Sequence, residues 1–178
     1  MKILYYIVLI TFSSVLLAQN EYIIEKNINI DEKQKKLFKL TYDWLTKQEN
    51  LKILENTETN IKASGYFNFI DNVVYKESET ISRAYQKQIN GKIVFLLNIE
   101  VQDNMLKLTL SDFQHKPNLK YDGINFGKIT DTPEPPEFLL IDYDREYCTE
   151  VWQSMKNEIM IYAEKLFSNM PGQLISSR

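Results

Sequence analysis

The stretch from Ile93 to Leu110 constrains the fold more than any other part of the chain. Large apolar residues occupy alternate positions on both sides of Asp103-Asn104: Ile93, Phe95, Leu97, Ile99 and Val101 before it, Leu106, Leu108 and Leu110 after it. A period of two marks a half-buried strand. Asp and Asn both tolerate positive φ, so a two-residue type I′ turn can join the two strands. The register follows from that turn. Gln102 faces Met105, Val101 faces Leu106, Ile99 faces Leu108 and Leu97 faces Leu110, with Glu100 opposite Lys107 and Asn98 opposite Thr109 on the other side. A slip of one residue would carry the whole aliphatic set into water. An antiparallel sheet with one apolar face is thereby specified, and other segments must cover that face.

Two helices are available to do so. Asp31 with Gln34 three residues later reads as an N-cap and capping-box pair. Leu37, Leu40, Thr41, Trp44 and Leu45 then recur at helical spacing, which predicts a helix over 31–48. Lys35, Lys36, Lys39, Asp43 and Lys47 form its wet side, a solvated face rather than a nucleic-acid or membrane surface. The second helix is predicted over 144–169 from the stripe Cys148, Val151, Trp152, Met155, Ile159, Tyr162, Ala163, Leu166. Asn169 and Pro171-Gly172 are expected to stop it, leaving 171–178 as a flexible tail.

Further strands are expected at Tyr22 to Ile30, around Ile53-Leu54 and from Ile61 to Phe69. Gly65, inside the last of these, implies a bulge or the close approach of another element. Residues 118–143 hold Gly123, Gly127 and the run Thr132-Pro133-Glu134-Pro135-Pro136-Glu137. Each proline fixes φ and removes a donor, so a long loop is expected, with a short strand at Phe138 to Ile141.

Composition limits the alternatives. A chain of 178 residues, 44% hydrophobic and 12% aromatic with only 5 Gly and 5 Pro, can form one packed core without disulfides. Its formal charge of -3 and pI near 5.3 provide no basic field for a phosphate backbone, so nucleic acid is not an expected partner. At the N-terminus, Lys2 is followed by the uncharged apolar run Ile3 to Leu17 and then Ala18, the three parts of a secretory signal peptide. Cleavage after Ala18 is expected, and residues 19–170 then form a single domain that is periplasmic or extracellular. The run is shorter than the roughly 20 residues of a bilayer span, so no stable membrane span is expected after cleavage. The single cysteine, Cys148, lies far from the signal, so the protein is not expected to be a lipoprotein. Cys148 reads as a small core residue.

These features together resemble a known family. Tyr42-Asp43-Trp44-Leu45 in the first helix, Ala63-Ser64-Gly65-Tyr66-Phe67, the strand Ile93 to Val101 and the run Thr109-Leu110-Ser111-Asp112-Phe113-Gln114-His115 are similar to the exported domain-of-unknown-function family of Bacteroidota with a TATA-binding-protein-like (TBP-like) fold. The resemblance spans roughly residues 21 to 170 and implies an α+β fold, a curved antiparallel β-sheet with two helices packed on one face. It implies no activity. Residues 79–89 fit both a helical and a strand period, and the family topology favours strand.

Catalytic chemistry is poorly represented. One His and one Cys supply neither a His-rich zinc site nor a Cys-His pair at recognisable spacing, and no Gly-rich phosphate loop is present. No catalytic residue, cofactor-binding residue, metal ligand or cofactor is therefore assigned. Asp112 and His115, three apart on a strand, point to opposite faces. Asp142 and Asp144 read as helix-capping acids. The expectation is an exported, non-catalytic binding or assembly module whose partner is an envelope protein or a small ligand. Its recognition surface would be the sheet face bearing Val94, Leu96, Asn98, Glu100, Lys107, Thr109, Ser111 and Phe113, or the loop through Pro136. The alternative is a small hydrolase-type enzyme with Asp112, His115 or Glu134 in a carboxylate site under the 116–143 loop.

Overall fold

The central hairpin forms as its alternation requires. The computed structural model describes residues 21–76, 78–119 and 122–176. In chain order its elements are β1 (Ile24–Asn29), α1 (Gln34–Leu45), β2 (Leu51–Asn56), β3 (Asn60–Phe69), α2 (Glu79–Ile89), β4 (Gly91–Gln102), β5 (Met105–Pro117), β6 (Gly127–Lys128), α3 (Glu137–Asp142) and α4 (Arg145–Ser176). The expected signal peptide, 1–18, lies outside the described residues. Between β4 and β5 the pairs Gln102 with Met105, Val101 with Leu106, Ile99 with Leu108 and Leu97 with Leu110 are those that the turn dictates. The turn type differs from expectation: Asn104 adopts a φ of 61° but Asp103 does not turn positive, so this is not a type I′ turn.

The sheet is antiparallel, in the order β1-β5-β4-β3-β2, with β6 also paired to β5. β1 pairs the first half of β5 and β6 its far end, so the two short strands share one edge. One face carries Ile93, Phe95, Leu97, Ile99, Val101, Leu106, Leu108 and Leu110, all buried. Against it α1 buries Leu37, Thr41, Trp44 and Leu45, while α4 buries Val151, Trp152, Met155, Ile159 and Ala163. Burial of each large apolar side chain is worth about 1.5–3 kcal/mol, so this one layer of contacts dominates the stability. The fold class is as the sequence indicates: α+β, with the two long helices on one side of an antiparallel sheet.

Several local expectations are corrected. The first helix starts at Gln34, not Asp31, and its N-cap residue Lys33 makes no side-chain cap; the capping oxygen comes from Asp103 instead. Residues 79–89 are a helix, not a strand. Ser78 Oγ accepts the Ile81 N–H at 3.3 Å, Glu79 and Arg83 pair one turn apart, and Ser82, Tyr85 and Ile89 turn inward at helical spacing. A strand would instead have set Arg83 and Lys87 in line with Ile81 and Ile89.

Phe138 to Ile141 is also helical. The Leu139 N–H bonds to the carbonyl of Pro136, and Leu139 is buried while Phe138 and Ile141 are exposed. Finally, α4 does not stop at Asn169 but runs through Pro171 to Ser176. Pro171 costs the helix one hydrogen bond to the carbonyl four residues earlier. Burial of Met170 and Leu174 on either side offsets that loss, and Gln173 Oε1 accepts the indole N–H of Trp44. Residues 171–176 are therefore helix, not tail.

Candidate functional site

Among the described residues, no helix covers the face of the sheet opposite α1 and α4. Its rows follow from the register. Ser64, Leu96 and Ser111 lie side by side across β3, β4 and β5, followed by Tyr66, Val94 and Gln114, then by Asn68, Lys92 and Lys116. Val94, Leu96, Asn98, Glu100, Lys107, Thr109 and Ser111 are half-buried on this face, where the alternation places them. A concavity of 460 Å³ opens there, with Tyr66, Val94 and Leu96 in its lining and Lys52, Lys116, Asp112 and Gln114 around them. That volume is in the range of small-molecule sites, and the lining mixes apolar surface with a few charged groups as such sites do.

Phe113 is not on this face. Val94 pairs with Gln114 but Leu96 pairs with Ser111, so Asp112 and Phe113 together oppose Phe95 in a β-bulge. Asp112 takes the left-handed conformation the bulge needs, with φ 52°, which Asp tolerates better than most residues. The extra residue turns Phe113 into the core, where it is fully buried, and sets Asp112 on the open side. There Lys128 of β6 reaches Asp112 at 3.3 Å and Glu21 at 3.3 Å, and Gln114 Nε2 donates to Asp112 at 3.3 Å.

Asp112, His115 and Glu134 are not brought together. The His115 ring is buried in the core. Its Nδ1 accepts the Phe126 N–H at 3.2 Å, which leaves Nε2 to carry the proton and donate to the Ile89 carbonyl at 2.8 Å. Burial holds its pKa down at about 4, so the ring is neutral at pH 7. Its role is to close the end of α2 onto the loop after β5. Glu134 is an exposed partner of Arg145 at 2.7 Å.

The loop itself is fastened to α4. Trp152 Nε1 donates to the Thr132 carbonyl at 3.0 Å, Lys156 Nζ to the same carbonyl at 3.2 Å and Gln153 Nε2 to that of Pro133 at 2.6 Å. Phe126, Ile129 and Trp152, all fully buried, fill the space beneath it. Asp144 Oδ1 accepts the Tyr147 N–H at 2.8 Å and caps α4, whereas Asp142 ends α3 instead. Cys148 is buried, and burial pushes its thiol up to about 11, which suppresses the reactive thiolate at neutral pH.

One buried polar pair escapes sequence reasoning. Asp71 follows the end of β3, in a stretch that reads only as a polar turn, yet it is buried and Tyr147 of α4 donates to its Oδ2 at 2.5 Å. Asp71 Oδ1 accepts the Val73 N–H at 3.0 Å, and its own N–H donates to Asn90 Oδ1 at 2.7 Å. Burial raises the Asp71 pKa against the pull of these donors, and burial together with Asp71 raises that of Tyr147. The phenol therefore stays protonated and serves as a hydrogen-bond donor. The hollow beside it, lined by Val74, Lys76, Glu146 and Tyr147, has a volume of only 130 Å³. No periodicity or motif marks Asp71, because its partner lies 76 residues away. Among the described residues, no group of three or more His, Cys, Asp or Glu is placed to hold a metal ion, and no helix is long and apolar enough to cross a membrane.

Solved structures place this architecture. The chain is similar to a TBP-like protein from Parabacteroides distasonis, with a TM-score of 0.54 and 13% identity over 86% of this chain and 92% of that one. The fold is TBP-like. A DUF4468 family protein from Bacteroides ovatus is similar at a TM-score of 0.43 and 11% identity, over 79% of this chain and 85% of that one. No family model matches the chain, and no curated protein matches it either. At this identity the TBP-like likeness concerns the fold alone, and activity has to be argued from the surface. On that surface, the face of the sheet that no helix among the described residues covers holds the concavity.

Proposed function

We propose that this protein is an exported, non-catalytic binding module that recognises its partner, an envelope protein or a small ligand, with the helix-free face of its sheet. The observation that carries this reading is the 460 Å³ concavity on that face, where Tyr66, Val94 and Leu96 leave apolar surface beside charged groups. The dispersal of Asp112, His115 and Glu134 supports a non-catalytic role, since acid-base work needs groups within reach of one reacting atom. Export rests on the Lys2 to Ala18 segment and is part of the proposal.

The test is a quantitative capture experiment from the native cell envelope. It compares the wild-type chain with a Tyr66→Ala, Val94→Ser, Leu96→Ser variant and with Ile161→Ser, which alters an exposed residue of α4. Loss of specific partners with the sheet variant alone supports the proposal. Identical partners for all three chains overturn it. Intact-mass measurement of the same preparation reads whether cleavage follows Ala18.

A further inference from the structure

The end of the concavity formed by Tyr66 and Lys116 borders a charge pattern that the fold does not need. Lys92 on β4 and Lys116 on β5 are direct cross-strand partners on the open face, and both are exposed. Like charges in that relation repel and weaken a sheet. Two other lysines of this face are balanced, Lys107 by Glu25 at 3.4 Å and Lys128 by Asp112 and Glu21, whereas Lys52 and Lys62 stand opposite the neutral Ser64 and Asn98 rather than opposite another lysine. Neither Lys92 nor Lys116 forms an ion pair among the described residues. Lys92 lies over the Tyr66 ring, 4.1 Å from its centroid, and Lys116 lines the concavity. One row inward stands Val94, and the next row holds Leu96. Of the carboxylates in the lining, Asp112 is taken by Lys128, and Glu49 stands at the β2 rim beside Asn50 and Lys52. An unbalanced cationic pair thus adjoins an apolar and aromatic floor on a protein of net charge -3.

On the reading of this face as the binding surface, we propose that the site takes a soluble phosphomonoester with an apolar body. The doubly charged head group sits between Lys92 and Lys116, and the body lies over Val94 and Leu96 beside Tyr66. Two compact ammonium charges match a dianionic phosphate, which lysine binds as a point charge. The apolar rows give the body a surface to cover, which free phosphate would leave exposed to water.

Calorimetric titration with octyl phosphate, inorganic phosphate and octanol tests this, using the chain from residue 19 at low ionic strength. Octyl phosphate is expected to bind saturably and at least about tenfold more tightly than either fragment. The Lys92→Gln, Lys116→Gln double variant is expected to weaken it by about tenfold or more, and Lys107→Gln by less than about twofold, because Lys107 is already paired. Circular dichroism verifies that each variant is folded. Absence of saturable binding, equal binding by the double variant, or binding only to phosphatidylglycerol vesicles or to a DNA duplex overturns the proposal. If octyl phosphate fails but the sheet variant still loses envelope partners, the binding face stands and this ligand class falls. If octyl phosphate binds as expected while envelope capture is unchanged by the sheet variant, the ligand class stands and an envelope-protein partner falls.

Discussion

Asp103, in the turn between β4 and β5, accepts the backbone N–H of Gln34 at the start of α1 at 2.9 Å, across 69 residues of chain. The Gln34 side chain answers by donating to the Val101 carbonyl at 3.2 Å, and the Asn104 N–H donates to the Glu32 carbonyl at 2.9 Å. The hairpin turn therefore supplies the cap that the sequence before α1 does not. Asp103→Ala is expected to lower stability by about 1 kcal/mol, the usual cost of a lost N-cap, and Asp103→Asn by much less because it keeps the acceptor. Urea unfolding of the two variants measures the difference. Equal losses would mean that the oxygen does not cap the helix.

Gly65 is required by the ring of Phe95. A methyl group at Gly65 would lie 2.4 Å from Phe95 Cζ and 2.5 Å from Leu51 Cδ2, and both neighbours are buried. The same core continues to α4, where Tyr162 stacks on Phe67 at 4.6 Å and packs against Phe95 at 5.4 Å. Gly65→Ala is expected to cost about 1–3 kcal/mol by overpacking. Phe95→Leu added to Gly65→Ala should cost less than the sum of the two single changes, because each relieves the contact that the other disturbs. Strict additivity in urea unfolding would dismiss the steric account.

The parts of this fold legible in the sequence are those carried by a long unbroken period. The β4-β5 pairing could be written residue by residue from Asp103-Asn104 outward, and the stripe from Leu37 to Leu45 located the inward face of α1. What was hidden depends on contacts between distant segments. Extending the turn's register without a bulge sets His115 opposite Lys92 and leaves Phe113 on the open face. The extra residue at Asp112 shifts the far half of β5 by one place, and this sends Phe113 and His115 inward and brings Lys116 opposite Lys92. The rows of the candidate site near the turn were therefore visible, while its cationic pair was not. Residues 79–89 were illegible for a different reason: eleven residues containing Ile81, Tyr85 and Ile89 satisfy both periods, and only the Ser78 cap and the inward Ser82 decide for helix.

Asp71 shows how a buried carboxylate can be required for its shape while its charge is a burden. Loss of the acceptor in Asp71→Ala leaves the buried Tyr147 hydroxyl without its partner, at about 1–3 kcal/mol, and the half-buried Val73 N–H without its own at a smaller cost. Asp71→Asn can accept from Val73 and donate to Tyr147, so it is expected to be much closer to wild type at pH 7. The raised pKa gives the sign of the pH effect. Folding takes up a proton between the ordinary carboxyl value and the folded one, so this group adds stability as pH falls through that window. Urea unfolding of the Asn variant at several pH values should lack that gain. Retention of the gain in the Asn variant would assign it to another group.

His115 acts in the opposite direction. Its folded pKa of about 4 lies below the ordinary 6.5, because a charged ring would have to be held in the core between the Ile89 carbonyl and the Phe126 N–H. Protonation would also turn Nδ1 from an acceptor into a donor facing that N–H. Between pH 6.5 and 4 the unfolded chain therefore binds the proton and the folded one does not, so stability is complete above 6.5 and is lost as pH falls toward 4. The loss amounts to about 3 kcal/mol from this single ring. His115→Gln cannot take up a proton, and its unfolding free energy should vary less over that range by about the same amount, although it is less stable than wild type at pH 7. Parallel pH profiles for the two chains would show that His115 is not the group whose protonation opposes the fold.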